Sequence, residues 1–360
     1  MTIVISSALL LSILVQLGFW GLFQRLYFFK SPPLTDVKQG ISIIVSVKNG
    51  ASYLQDFMHH ILEQSYPTYE VLLIDDFSTD NTLKEMKKYA GPGIKVHSAA
   101  IDLPGKKQAL SEGIKHARYD WLLFTDVDCI PHSKNWIESM VQHQVGSDVV
   151  LGYGPLRGTM GVISLFSSFE TAITAIQYFN YALYRYPYMG VGRNLLVDKT
   201  SWMRAGGYAS HTDIASGDDD LLIQDIASIG KSRISINTDR KSYMYSPTME
   251  SLQAFLSQKQ RHISTSTRYT WLHKGLLALY SSSHMLIYGL LLVLSFIKPY
   301  HALYWFLSYI ITKWLLSILP FLKLNEGSKL IWFPILDALL VAYYLIMVIL
   351  MPLRKTESWN

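Results

Sequence analysis

Cys129 is the only cysteine in the 360 residues, which excludes an intrachain disulfide framework and suits a reducing compartment. Charge is also scarce. Asp, Glu, Lys and Arg make up 16% of the chain, against about a quarter in soluble domains. No Gly-x-Gly-x-x-Gly or Walker loop stands at any strand end, which argues against the usual dinucleotide and P-loop modes. Zinc-ligand spacing and long basic runs are missing too. With a net charge of +5, nothing points to nucleic acid.

Apolar residues are abundant, at 50%, too many for an ordinary soluble enzyme. The excess lies at the two ends. Residues 3–23 carry no charge and are long enough to span a hydrocarbon core of about 30 Å. Arg25 and Lys30 follow this run instead of preceding it, so an uncleaved anchor is expected, not a signal peptide. Three more apolar stretches cover 275–297, 301–320 and 331–352. They hold His284, Lys313 and Asp337 respectively, which leaves an interfacial position open for each. Basic flanks set the orientation. Arg25 and Lys30 after the first stretch, and Arg261, Arg268 and Lys274 before the second, put 31–270 in the cytoplasm. Lys323 and Lys329 suit a cytoplasmic loop, but four full spans would export Arg354-Lys355. Either that signal is overridden, or one C-terminal segment lies in the interface. The expected organisation is an anchor over 1–30, a cytoplasmic catalytic domain over 31–270, and a membrane region over 271–360 with two or three helices. The chain would be a multi-pass protein of the cell inner (cytoplasmic) membrane.

Between the ends, strand and helix patterns alternate. Strands are expected over 41–47, 69–74, 94–97 and 121–124. Helical faces lie between them: Leu54, Phe57, Met58, Ile61 and Leu62; then Leu83 and Met86 behind possible caps at Ser78 to Asn81; then 106–117 after the turn Leu103-Pro104-Gly105. This order predicts a parallel sheet with helices on its faces. Past Tyr153 it fails, and 161–188 is an aromatic, nearly uncharged helical stretch, either core or an amphipathic segment on a bilayer.

Acids gather where strands end. Asp126 and Asp128, separated by Val127, follow the strand at Trp121, and ligands of open α/β sheets bind outside the carboxyl ends of strands. Two carboxylates there suit an oxygen-ligated divalent metal bridging to a diphosphate, although Asp-x-Asp alone is also a common solvated turn. Asp75-Asp76 ends the second strand and can accept from a ribose or a base N–H group, or merely cap the next helix. Lys106 can reach a phosphate or carboxylate, or be a solvated helix start. Gly190-Val191-Gly192 allows close backbone approach. Asp218-Asp219-Asp220 opens an apolar helix, where the helix N-terminus favours negative charge.

Taken in order, residues 43–49, 73–82, 105–113, 124–129, 190–196, 216–222 and 258–262 resemble the inverting GT-A glycosyltransferases of family 2 and their ceramide-glucosyltransferase-like relatives. The resemblance implies an α/β, Rossmann-like GT-A domain flanked by transmembrane helices. It implies a UDP-sugar donor, a Mg²⁺ or Mn²⁺ ion, and inversion at the anomeric carbon. Ser46 and Asp76 would contact the nucleoside, Asp126 would sit by the ribose and metal, and Asp128 would ligate the metal. Asp218 aligns with the catalytic base, with Lys106, Gln258 and Arg261 on the donor side. Two positions depart from the family pattern. Gly217 stands where the family has Glu, which keeps Asp219 as a rival base, and His262 replaces the Trp of the Gln-x-x-Arg-Trp motif.

Charge developing on a departing nucleoside diphosphate is stabilised by a divalent metal and a cation such as Arg261. The expected activity is therefore transfer of a hexose to a lipid or membrane-embedded hydroxyl. The rival expectations are a processive polysaccharide synthase and a catalytically inactive membrane scaffold. Few helices remain to build a polymer channel, and every acidic position is retained.

Overall fold

The structure, a computed structural model, describes residues 2–32, 39–99, 105–158, 161–230, 232–249 and 251–350. Leu103-Pro104 and the Arg354-Lys355 tail lie outside the described residues. The chain forms two compact units. One comprises 30–159 and 181–248, the other 1–29, 160–180 and 249–355.

The first unit is built on a seven-stranded sheet. Its strands in chain order are β1 (Ile41–Val47), β2 (Tyr69–Asp75), β3 (Ile94–Ser98), β4 (Trp121–Asp126), β5 (Val149–Leu151), β6 (Leu195–Asp198) and β7 (Ile234–Ile236), arranged β3-β2-β1-β4-β6-β5-β7. The first four are mutually parallel, and β6 enters antiparallel between β4 and β5. This is the mixed sheet of a GT-A domain. Ile41 to Val45 are wholly buried, because helices cover both faces of a parallel sheet and its strands read as continuous apolar runs.

Helices α2 (Leu54–Leu62), α3 (Thr82–Lys87), α4 (Lys106–His116) and α5 (Trp136–Gln142) follow β1, β2, β3 and β4. Leu54, Phe57, Met58 and Ile61 of α2 join Ile41, Ile43, Val45 and Val47 in one core with Trp136 and Met140. Asp80, not Asp76, serves the start of α3: its Oδ1 accepts from the Thr82 amide at 2.9 Å. Asp76 is thereby free of the capping role weighed for it. In register, Val47 lies opposite Asp75 and Ser46 opposite Asp126. The carboxyl ends of β1, β2 and β4 thus form one edge.

The second unit is helical. It includes α1 (Thr2–Phe23), most of α6 (Val162–Leu183), α8 (Leu252–Ser264), α9 (Trp271–Ile297), α10 (Pro299–Lys323) and α11 (Phe333–Leu350), with α7 (Asp220–Ser228) belonging to the first unit. Four stretches, Thr2–Phe28, Trp271–Ile297, Pro299–Lys323 and Gly327–Leu350, are long and apolar enough to cross a membrane.

His284, Lys313 and Asp337 lie one on each of α9, α10 and α11. All three side chains are fully buried and meet: Lys313 Nζ lies 2.7 Å from Asp337 Oδ1, and His284 Nε2 lies 3.0 Å from Asp337 Oδ2. Tyr288 donates to Asp337 Oδ2 at 3.0 Å and Lys313 donates to the Tyr309 hydroxyl at 2.9 Å. A polar group in an apolar bundle needs a partner, and each of these helices supplies one to the others. At its far end α11 returns to α8, where Gln260 donates to the Leu350 carbonyl at 3.3 Å and the Tyr343 ring packs at a tilt against Phe255.

Candidate active site

β4 ends in Asp126, and the turn after it carries Asp128. Carboxylate oxygens of these two residues and the Cys129 sulfur lie within 4.8 Å of one another. Burial, with the Asp126 carboxylate beside it, holds the Asp128 carboxyl above its ordinary value, while the Arg193 and Lys106 charges pull the other way. Two acids converging in a half-buried place make a negative pocket that a cation relieves. The Cys129 thiol is buried, and burial together with the Asp128 charge pushes its pKa far up. The donor set is thus hard oxygen, which suits Mg²⁺ or Mn²⁺ and not a soft metal.

Lys106 opens α4 and points into this cluster. Its ammonium lies 2.9 Å from Asp126 Oδ1 and 2.9 Å from Asp218 Oδ2. Burial alone would lower its pKa; the two carboxylates outweigh that and hold it well above the usual lysine value. It is no solvated helix start. Asp218 and Asp126, 92 residues apart in sequence, share one cation.

Asp219 does something different. Its Oδ1 accepts from the Asp220 amide at 2.7 Å and its Oδ2 from the Gly192 amide at 2.9 Å. It caps α7 and ties that helix start to the Gly190-Val191-Gly192 turn. Burial, then the Asp218 and Asp220 charges, push its carboxyl up to about 7. A value near neutrality suits a general base, and each oxygen also accepts one backbone amide, so Asp219 carries a structural role at the start of α7.

The close approach expected at Gly192 is real: a Cβ there would stand 3.1 Å from Asp218 Oδ2. Gly217 has φ +101°, and a Cβ on it would meet the Leu221 side chain at 2.7 Å. The glycine that breaks the family pattern is therefore required by the loop's own conformation.

At the neighbouring strand end, Asp76 Oδ1 accepts from the Gly105 amide at 2.8 Å, whereas its Oδ2 is buried with no partner among the described residues. Burial holds this carboxyl above its ordinary value. An acceptor oriented at a sheet edge with nothing donating to it fits a ligand N–H or O–H. Ser46 reaches the same edge through its register with Asp126.

Lys106, Asp126, Asp128, Asp218 and Asp219 therefore come together, with Asp76 and Ser46 on the same edge. Gln258 and Arg261 lie one turn apart on α8, in the helical unit. Two residues near the acids were missed from sequence. Arg193, whose charge acts on Asp128, sits in a motif noticed only for its glycines. Lys107 was hidden beside Lys106.

Residues 42–189 match the family model described as Glycosyl transferase family 2, so this stretch carries a domain of that type. The poly-beta-1,6-N-acetyl-D-glucosamine synthase of Staphylococcus epidermidis is 33% identical over 96 residues, 26% of this chain and 22% of that protein. Glycosyltransferase GlyG of Streptococcus pneumoniae is 32% identical over 115 residues, 31% of this chain and 38% of that protein. The matched stretches thus span well under half of these curated relatives. Among solved structures, the mannosyltransferase PcManGT from Pyrobaculum calidifontis, in complex with GDP-Man and Mn²⁺, aligns with TM-score 0.59 at 16% identity. The alignment covers 95% of this chain and 98% of that one. The likeness in fold therefore extends over nearly the whole chain.

Proposed function

We propose that this protein is a membrane-integrated glycosyltransferase that moves a hexose from a UDP-sugar to a lipid or membrane-embedded hydroxyl, with inversion. The observation that carries this reading is the group of Asp126, Asp128, Lys106 and Asp218 at the carboxyl edge of a GT-A sheet. Asp126 and Asp128 would hold Mg²⁺ or Mn²⁺, which when bound offsets the charge of the donor diphosphate. Asp76 would accept from the nucleoside, with Ser46 beside it. Asp218 removes the proton from the acceptor hydroxyl as its oxygen attacks the anomeric carbon. The bond from that carbon to the diphosphate oxygen breaks, and UDP departs with the electron pair.

Four apolar helices support a membrane-borne acceptor. Positive flanks favour a cytoplasmic site in the inner membrane. The test is transfer of radiolabelled sugar by detergent-solubilised protein, with a panel of UDP-sugars offered alongside lipid extract or soluble glycans. Label confined to the aqueous phase, on soluble glycans alone, would defeat the lipid-acceptor reading.

A second reading, a processive polysaccharide synthase, is favoured by the synthase among the relatives. Product size separates the two: single addition gives one discrete species, while polymerisation gives a ladder.

A further inference from the structure

Two consecutive lysines open α4, and they hold the same loop in different ways. Lys106 pairs with the Asp218 carboxylate. Lys107 turns beneath the loop, and its ammonium donates to the backbone carbonyls of His211 and of Ser216, the latter at 2.9 Å. The residue is only 6% exposed. A buried ammonium is costly unless its donors are satisfied, and here two of its three protons go to main-chain oxygens.

We propose that Lys107 is a positioning residue for the catalytic base, fixing the 211–218 loop so that Asp218 is presented at the edge where Asp126 lies. The proposal rests on the reading of Asp218 as base. Three observations support it. Ser216 and Asp218 flank Gly217, whose φ of +101° is a conformation open to glycine, so the segment bends sharply just before Asp218. The Lys107 contacts sit at either end of the segment leading to that bend, five residues apart. The charges of Asp218, Asp213 and Asp220 also act on Lys107, opposing the lowering of its pKa by burial. No direct contact between Lys107 and substrate is implied.

The experiment compares full-length, detergent-solubilised wild type with Lys107→Met, which keeps length and removes the charge, and Lys107→Arg, which keeps the charge. Amide exchange over 211–221 and steady-state transfer are both followed. In Lys107→Met, exchange in the loop should rise about tenfold. The kcat should fall by about 10- to 100-fold, the range expected for a reacting group displaced by an ångström. The UDP-sugar KM should stay within about threefold, and Lys107→Arg should recover part of the kcat. Wild-type kcat in Lys107→Met, with or without faster exchange, overturns the proposal. So does a parallel loss of donor binding, thermal stability and kcat, which marks a purely structural lysine. If the wild type transfers from no donor, the functional reading itself fails and takes the catalytic half of the proposal with it. Exchange then decides whether Lys107 restrains the loop, and unchanged exchange overturns that as well.

Discussion

At the scale of single residues, three of the site's carboxylates, Asp128, Asp218 and Asp219, differ in what surrounds them. Asp128 has an acid beside it and no capping role, so its proposed work is cation binding. Asp128→Asn keeps the shape and removes the charge that a hard cation needs. Metal-dependent UDP binding, measured by calorimetry with and without chelator, should be lost together with turnover. Full wild-type turnover in chelator would remove the metal from the scheme. Asp218→Asn should lower kcat by about 10²–10⁴-fold, as for a lost general base, while UDP-sugar affinity stays within a few-fold. Asp219→Asn should behave as a damaged cap. An amide oxygen can serve only one of the Gly192 and Asp220 amides, and the orphaned donor costs about 1–3 kcal/mol. That loss should depend on pH. A carboxyl that titrates near 7 in the native state and near 3.8 unfolded binds its proton more tightly when folded. Its stabilisation is complete below about pH 3.8 and is lost as pH rises through 7. The difference in melting temperature between wild type and Asp219→Asn should therefore be widest near pH 4 and narrow toward pH 8. A gap that widens with pH would contradict this assignment.

Elements show what was legible in the sequence and why the rest was not. Strands β1 to β4 and the helices between them stand where buried apolar runs and helical faces put them, because each signal is local. Strand β6 escaped notice: Leu195–Asp198 is four residues long, too short to carry a period, and its antiparallel place is fixed only by the partners on either side. The choice between Asp218 and Asp219 was likewise closed to sequence. Neighbours on one helix start share their pattern, and the bonds of Asp219 to the Gly192 and Asp220 amides are set by the fold. The Lys107 grip depends on carbonyls more than 100 residues away, which no spacing announces. The loop before α7 supplies a prediction of its own. Gly217→Ala must place a Cβ at φ +101° and against Leu221, a strain of about 1–3 kcal/mol. A lower melting temperature with a lower kcat is expected. An unaltered melting curve would mean that the loop is softer than its contacts suggest.

For the whole molecule, the buried meeting of His284, Lys313 and Asp337 bears, on the proposed membrane reading, on how the chain would enter a bilayer during synthesis. A lone Lys or Asp at the centre of a nascent segment opposes partitioning into lipid by about 2.5–3.5 kcal/mol. Helices α10 and α11 carry one such residue each, of opposite sign, on segments that follow one another directly. They should therefore leave the insertion machinery as a hairpin whose charges cancel, not one after the other. Lys313→Met alone leaves Asp337 without its cation, with only His284 and Tyr288 beside it, and should reduce the membrane-integrated fraction of α11, read by alkaline extraction and by protease protection. Lys313→Met with Asp337→Leu should restore it. If the single variant integrates as completely as the wild type, the two segments enter independently, and the ion pair forms only after both have arrived.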